Sequence, residues 1–431
     1  MARIIPFKGL RYNQKKVGSL ASVVTPPYDI IDEVSQARYY AENPVNIIRL
    51  ELGLEFPQDN ANNNRYTRSA HYLEKWIEDE TLVYEERPAI YVYQQEFYHL
   101  GFTRIRTGFI CGLKVEPYEK GNILPHEDTL SKAKTDRLHL LRSTKCNFSP
   151  IFGLYSDENR QIESIMADYI KDRKPEIKIT DEDNEIHRVW VIDQADTIKK
   201  IMEFMSTKQV FIADGHHRYE TSLEYAKEMK EQRYENHDYV MATLVNLYND
   251  GLVILPTHRV VGSLAKFHSS DFIKQLAADF YLEAWADKQD REGFLLELGK
   301  RGQDNHVIGM YLDGKLYFLT LKNFSQASSL LPQDKSHFWK KLDVTLLDIF
   351  ILDRLLGIGE TERRKQENLS YSRSINWVME QVDNQQYQIG FLLNPTPVDD
   401  IVNVAKAGDK MPQKSTYFYP KLLTGLVINH L

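Results

Sequence analysis

QVFIADGHHRYETSLEYAKEMKEQ, residues 209–232, is the stretch on which the reading of this chain turns. Residues 209–213 form a short apolar, β-branched run of the kind that makes a buried strand, and from 219 to 232 Leu223, Ala226 and Met229 recur at helical spacing. Between them stand Asp214 and Gly215, then His216, His217 and Arg218, so three potentially cationic groups crowd the first turn of a helix. The helix macrodipole is already positive there, and the cations oppose it unless an anion lies among them. A phosphate resolves the conflict: Gly215 lets the backbone approach, first-turn amides donate, and Arg218 offers a two-pronged contact. Asp214, at the carboxyl end of the strand, would then hold a divalent metal or accept a proton from an attacking hydroxyl. A plainer reading stands beside this one, in which Asp-Gly is a tight turn, Asp214 a helix cap and the histidines face solvent.

Outward from the turn, a helix at 197–205 feeds the strand, preceded by a strand at 186–192 and a helix at 162–173. Nearer the N-terminus, strand-like runs at 89–93 and 107–115 alternate with a helical pattern at 66–79, and 55–65, with Pro57 and four asparagines, reads as a mobile loop. On the other side, 240–247 and 252–261 are expected to pair as a hairpin about Asn249-Asp250-Gly251. Composition changes after Gly262. Helices at 271–281 and 344–356, strands at 307–312 and 315–321, and a proline-punctuated tail follow. The class is α+β, with an expected division into 1–262, carrying the phosphate site, and a C-terminal α/β segment, 263–431, whose tail returns to that site.

With 431 residues, 42% of them apolar, the chain has material for two domains or one elaborated domain. A formal net charge of −7 argues against bulk attraction to nucleic acid or anionic membrane. Cys111 and Cys146 show no metal-ligand spacing and are too few to staple a chain of this size, which suits a reducing cytoplasm. The first residues lack a signal-peptide pattern, and no segment approaches eighteen uninterrupted apolar residues, so neither export nor a membrane partner is expected. Zinc is disfavoured because His216 and His217 are adjacent and neither cysteine is near a histidine; a Walker loop and a paired-glycine fingerprint are both absent.

Other segments could contribute chemistry. LPHEDT at 124–129 puts His126, Glu127 and Asp128 on a proline-fixed turn ahead of Lys132, Lys134, Arg137 and Arg142; His126 or Glu127 could deprotonate a hydroxyl, or Asp128 and Thr129 could simply cap the helix. Tyr28 and Asp29 after Pro26-Pro27, and Asn46 and Arg49 after Pro44, stand on stiffened turns suited to positioning a substrate or to an ordinary corner. His258 and Arg259 form another such pair. In MPQKSTYFYPK, 411–421, Lys414, Ser415 and Thr416 supply a cation and hydroxyls for a phosphate, and the aromatic half could stack a base or pack.

PPYDII (26–31), LPHEDT (124–129), NFSPIFGLY (147–155), ADGHHRYET (213–221), LPTHR (255–259) and MPQKSTYFYPK (411–421) together resemble the prokaryotic DUF1015 family, over nearly the whole chain. The family name implies no activity. The segment 197–229 is more distantly similar to the helix, strand, Gly-x-x-Arg turn and helix of the ParB/sulfiredoxin-like superfamily, whose members bind nucleotide phosphates at this turn, and its free serine kinases share an Asp-Gly-His-x-Arg version. That resemblance implies a ParB/sulfiredoxin-like core with N-terminal insertions, makes Asp214 catalytic or metal-coordinating, and makes Gly215, His216 and Arg218 a phosphate cradle, with His217 beside them. The kinases' separate glutamate does not align; on physical grounds Glu127 takes that place, with Asp29 behind it. The chain departs from DNA-partitioning ParB proteins in the turn and shows no clear helix-turn-helix.

The expectation is a cytoplasmic phosphotransferase acting on a small hydroxylated metabolite, serine foremost, with ATP or ADP as donor and Mg²⁺. A non-catalytic nucleotide-sensing or DNA-associated regulator, and a phosphatase or other hydrolase on the same cradle, are the alternatives.

Overall fold

The computed structural model describes residues 1–129, 131–230 and 237–431. Two compact units emerge: residues 1–125, 129–252 and 420–431 form the first, and 126–128 with 253–419 the second. Both mix strands and helices, an α+β architecture. Among the described residues no helix is long and apolar enough to cross a membrane.

The first unit is built on a mixed nine-stranded sheet. Its order is Ile123–Leu124, Val210–Asp214, Ile151–Tyr155, Tyr239–Asn246, Phe102–Lys114, Ile90–His99, Ile186–Ile192 and Ile177–Thr180, with Ile4–Ile5 on the side of Phe102–Lys114. Tyr239–Asn246 is apolar almost throughout because it lies mid-sheet, antiparallel to Phe102–Lys114 and parallel to Ile151–Tyr155. Ile162 and Met166 of helix Gln161–Ile170, and Ile198, Ile201 and Met205 of helix Ala195–Met205, join Val92, Phe109, Val210 and Ile212 in one buried cluster. Helix Ser131–Thr144 meets helix His216–Met229 through Leu138, Leu141 and Tyr225. The expected helix 219–232 thus begins three residues early, at His216, and its last two residues, Glu231 and Gln232, lie outside the described residues.

The expected hairpin at 240–261 does not form. Asn249 to Leu252 does reverse the chain, through a Leu252 amide to Asn249 carbonyl bond of 2.9 Å. Yet both edges of Tyr239–Asn246 are already taken, and Gly251 is pressed so closely onto Ile105 and Arg106 that a Cβ would lie 2.3–2.5 Å from their backbone. A turn signal specifies a reversal and leaves the next strand's partner open.

In the second unit, Val253–Leu255 pairs with Tyr417–Tyr419, and His258–Val261 enters a six-stranded sheet of order Phe280–Ala284, Lys315–Leu321, Val307–Leu312, Ile389–Leu392, His258–Val261, Leu369–Ser372. The division at 252/253 therefore precedes the composition change at 262, and 420–431 counts with the first unit. Phe294 and Leu298 of helix Arg291–Arg301, with Val378 and Met379 of helix Ile375–Asp383, cover this sheet. The helix expected at 344–356 is α-helical only over Asp343–Leu346 and widens into a π-helix over Leu347–Asp353.

Candidate functional site

Strand Val210–Asp214 carries a register shift between Ile212 and Asp214 against Ile151–Tyr155, and such a bulge re-aims the last side chain of a strand. Asp214 leaves the strand here, half-buried, and Gly215 occupies the N-cap position of helix His216–Met229 at φ +90°, with no side chain capping the helix. The plain-cap reading of Asp214 is thereby set aside. Gly215 is needed twice over, for its left-handed backbone and because a Cβ would sit 3.0–3.1 Å from the Arg218 guanidinium.

Arg218 turns inward. It is 9% exposed, donates from Nη1 to the Pro150 carbonyl and places Nη2 3.6 Å from Asp214 Oδ2. It thus folds back over the glycine and pairs with the aspartate of its own turn. A second cation arrives at the same oxygen: Lys421 Nζ lies 3.5 Å from Asp214 Oδ2. Burial alone would push the Asp214 carboxyl up, but Lys421, then Arg218 and His216, outweigh it and hold the group at about 2. The dipole conflict read from the sequence is real, and an internal carboxylate answers part of it. One aspartate thus faces both an arginine and a lysine at the helix N-terminus.

His216 is buried, and His217 is half-buried with its imidazole pushed below the ordinary range by burial, against the opposing pull of Asp29 and Glu220. His217 is therefore neutral near pH 7 and offers hydrogen bonds instead of the fixed charge expected of it. Tyr28 and Asp29 do reach this turn. The Arg137 guanidinium lies 4.0 Å from the Tyr28 ring centroid, and burial lifts the Tyr28 hydroxyl to about 12 although Arg137 and Arg218 pull the other way. Arg137 Nη1 in turn donates to Glu51 Oε1 at 3.1 Å, and Ser149 Oγ donates to the same oxygen at 3.0 Å. Glu220 completes the first two helical turns, accepting from Thr129 Oγ1 at 2.6 Å and Lys134 Nζ at 3.0 Å.

Two expected positioning residues serve the local fold. Asn46 accepts from the Ile48 amide at 2.9 Å and donates to the Ser22 carbonyl at 2.8 Å, and Arg49 Nη2 donates to the Tyr40 carbonyl at 2.7 Å while stacking on that ring. Proline-stiffened turns look alike whether they hold a ligand or a corner.

A second group of expected residues gathers within the second unit. His126 Nε2 meets Thr416 Oγ1 at 3.1 Å, and its carbonyl accepts from the Met411 amide at 2.7 Å. Asp128 pairs with Lys410 at 2.7 Å, and Glu127, between His126 and Asp128 in sequence, is half-buried. Ser415 is buried and its hydroxyl donates to the Pro412 carbonyl. The Lys414 carbonyl accepts from Arg259 Nη2 at 3.2 Å, while Arg259 Nη1 reaches the Thr257 carbonyl. His258, driven down to about 4 by burial and Arg259, accepts from the Leu393 amide at 3.2 Å. Arg259 and Ser415 line a 260 Å³ cavity with Thr257, Lys341, Asp343 and Thr396.

A resident Mg²⁺ at Asp214 does not fit these residues. Two cations already share Oδ2, and the one grouping of three metal-type ligands found among the described residues is Asp181, Glu185 and His187, elsewhere in the first unit. Lys421 is the partner of Asp214 that the sequence reading passed over. It ends the MPQKSTYFYPK motif, two residues past the aromatic run, and an aspartate needing a counter-charge was the signal that could have found it.

A family model described as a protein of unknown function, DUF1015, matches residues 4–345. The chain belongs to that family. The matched residues do not include 411–421, the motif that holds Lys421. No curated protein matches the chain. Among solved structures it is similar to a free serine kinase mutant in complex with ADP (11% identity, TM-score 0.34, covering 69% of this chain and 84% of that one). It is also similar to a conserved hypothetical protein from Pyrococcus furiosus (10%, TM-score 0.32, 70% and 89%) and to SbnI with C-terminal truncation from Staphylococcus aureus (11%, TM-score 0.33, 73% and 85%). Likeness at TM-scores this low assigns no chemistry.

Proposed function

We propose that the Asp214–Arg218 turn binds the phosphate of a nucleotide and that the protein is a phosphotransferase acting on a hydroxyl of a small metabolite, serine foremost, with ATP or ADP as donor. The observation that carries this reading is the convergence of Lys421 and Arg218 on Asp214 at the N-terminus of a helix entered through Gly215. Phosphoryl transfer asks a protein for positioning and charge neutralisation more than for covalent chemistry. Lys421 supplies the neutralising charge toward the ligand and Arg218, tied to the Pro150 carbonyl, backs it; Asp214 holds both in place. Held at about 2, Asp214 is too weak a base to take a hydroxyl proton near neutrality, so its role is electrostatic. Neutral His217, within the influence of the Asp29 charge, is suited to that proton. Any magnesium comes as the nucleotide's own companion and no step is assigned to it.

The weak basicity of Asp214 also favours a second reading, a nucleotide-sensing regulator that binds without turnover. Incubation with L-serine and ADP or ATP, with and without Mg²⁺, followed by an assay for phosphoserine, is expected to show product, and a thermal-shift series with the same nucleotides is expected to show stabilisation by mass action. Stabilisation without product on any hydroxylated metabolite selects the sensor. Neither effect, with salt-sensitive binding to duplex DNA instead, abandons both nucleotide readings.

A further inference from the structure

Residues 420–431 belong to the first unit although 253–419 separates them in sequence from its other strands. Lys421 thus reaches Asp214 from near the end of the chain. A lysine on a loose tail would hold one position poorly, because both its backbone and its long side chain must be ordered. This tail is gripped. Gln95 Nε2 donates to the Lys421 carbonyl at 2.9 Å, Arg106 Nη2 donates to the Pro420 carbonyl, and Arg106 Nε donates to Gln95 Oε1 at 3.1 Å. The Leu423 amide reaches Tyr93 OH at 3.4 Å; that hydroxyl meets His187 Nδ1 at 2.8 Å, and His187 Nε2 lies 3.0 Å from Asp181 Oδ2. Thr424 then bonds Thr25 through both backbone groups.

Gln95, Arg106 and His187 are all essentially buried. Holding a carbonyl with a buried guanidinium is a costly way to tie down a chain, since burial lowers the Arg106 pKa to about 10 even against the opposing pull of Tyr93 and Glu185. Arg106 also lies 4.8 Å from the ring centroid of Phe152, the residue paired with Asp214 across the sheet. The carbonyls flanking the Lys421 backbone are therefore held by side chains that rest on the strand backing Asp214.

We propose that Gln95 and Arg106, backed by Tyr93, His187 and Asp181, are positioning residues that set Lys421 against Asp214 and so make Lys421 a phosphate-binding cation. This rests on the anion-site reading above. Two substitutions test it with the full chain. Gln95→Glu keeps an acceptor for Arg106 but removes the donor to the Lys421 carbonyl, and Tyr93→Phe removes only the hydroxyl that meets the Leu423 amide. Acetylation of Lys421 by a water-soluble N-hydroxysuccinimide ester, read by peptide mass against Lys132 as control, is expected to run several-fold faster in both. Affinity for inorganic phosphate is expected to fall about tenfold in Gln95→Glu, the size of a lost contact to a charged group, with no further loss when Lys421→Met is added. If the unmodified protein binds no phosphate, the anion-site reading fails and the latch stands or falls on the acetylation rates. Wild-type acetylation in both variants at unchanged melting temperature overturns the latch, as does simple additivity of Gln95→Glu with Lys421→Met. Should Gln95→Glu not fold, the Tyr93→Phe rate decides.

Discussion

Asp214→Asn removes the one negative charge that two cations share at 3.5 and 3.6 Å, and its effect can be sized from that geometry. Burial by itself pushes the carboxyl up; Lys421, Arg218 and His216 reverse this and bring it from an ordinary 3.8 to about 2. That difference corresponds to about 2 kcal/mol of native-state preference for the charged form. Because the folded value is the lower one, the contribution is complete above about pH 4 and is lost as pH falls through about 2. The variant is therefore expected to be about 2 kcal/mol less stable at pH 7, with mutual repulsion of the two cations in addition, and the gap should close near pH 2. Amide exchange of helix His216–Met229 reads the local opening free energy directly. The same change removes one negative charge from the turn, so phosphate should bind several-fold more tightly at low salt. A carboxylate that anchored a metal would behave the opposite way, losing nucleotide affinity on amidation. Equal protection of the helix at pH 7, or weaker phosphate binding, refutes the charge balance argued here.

Gly215→Ala combines a φ of +90° with a Cβ 3.0–3.1 Å from the Arg218 guanidinium, so it should cost about 2 kcal/mol in a melting experiment and release Arg218 from Pro150. His217 is lowered by burial, and its NMR titration should run below the ordinary 6.5; stability from this group is complete above that pH and shrinks as pH falls below it, while phosphate affinity rises as the ring gains charge. Removing the nearby charge by Asp29→Asn should lower that titration further.

The fold was readable where one element could be recognised from its own residues. Ile186–Ile192, Val307–Leu312 and Lys315–Leu321 lie where alternation and β-branching put them, and the strand and helix about the Asp-Gly turn were plain from apolar spacing. Pairing was not readable. Whether Val253–Leu255 returns to Tyr239–Asn246 or crosses to Tyr417–Tyr419 depends on which edges are free, and no local pattern records that. The widening at Leu347–Asp353 is equally silent, since an added residue per turn leaves an apolar run still looking helical.

At the site, the sequence announced a charge problem and left its solution open. Three basic residues at a helix start require anionic company, and the structure supplies part of it from Asp214, the residue just before them. What a single sequence hides is direction: Arg218 points into the unit toward Pro150, not out toward a ligand, so the cation expected to grip a phosphate is in large part structural. The charge left for a ligand then depends on Lys421, brought from beyond the family-matched span and held by buried side chains of two distant strands. Had Arg218 alone faced Asp214, the pair would be neutral and the turn would have no electrostatic reason to bind an anion. The second cation adds a positive charge to a local ion pair, which is why, on the proposed reading, phosphate affinity should follow Lys421 more closely than any residue of the Asp-Gly-His-His-Arg motif itself.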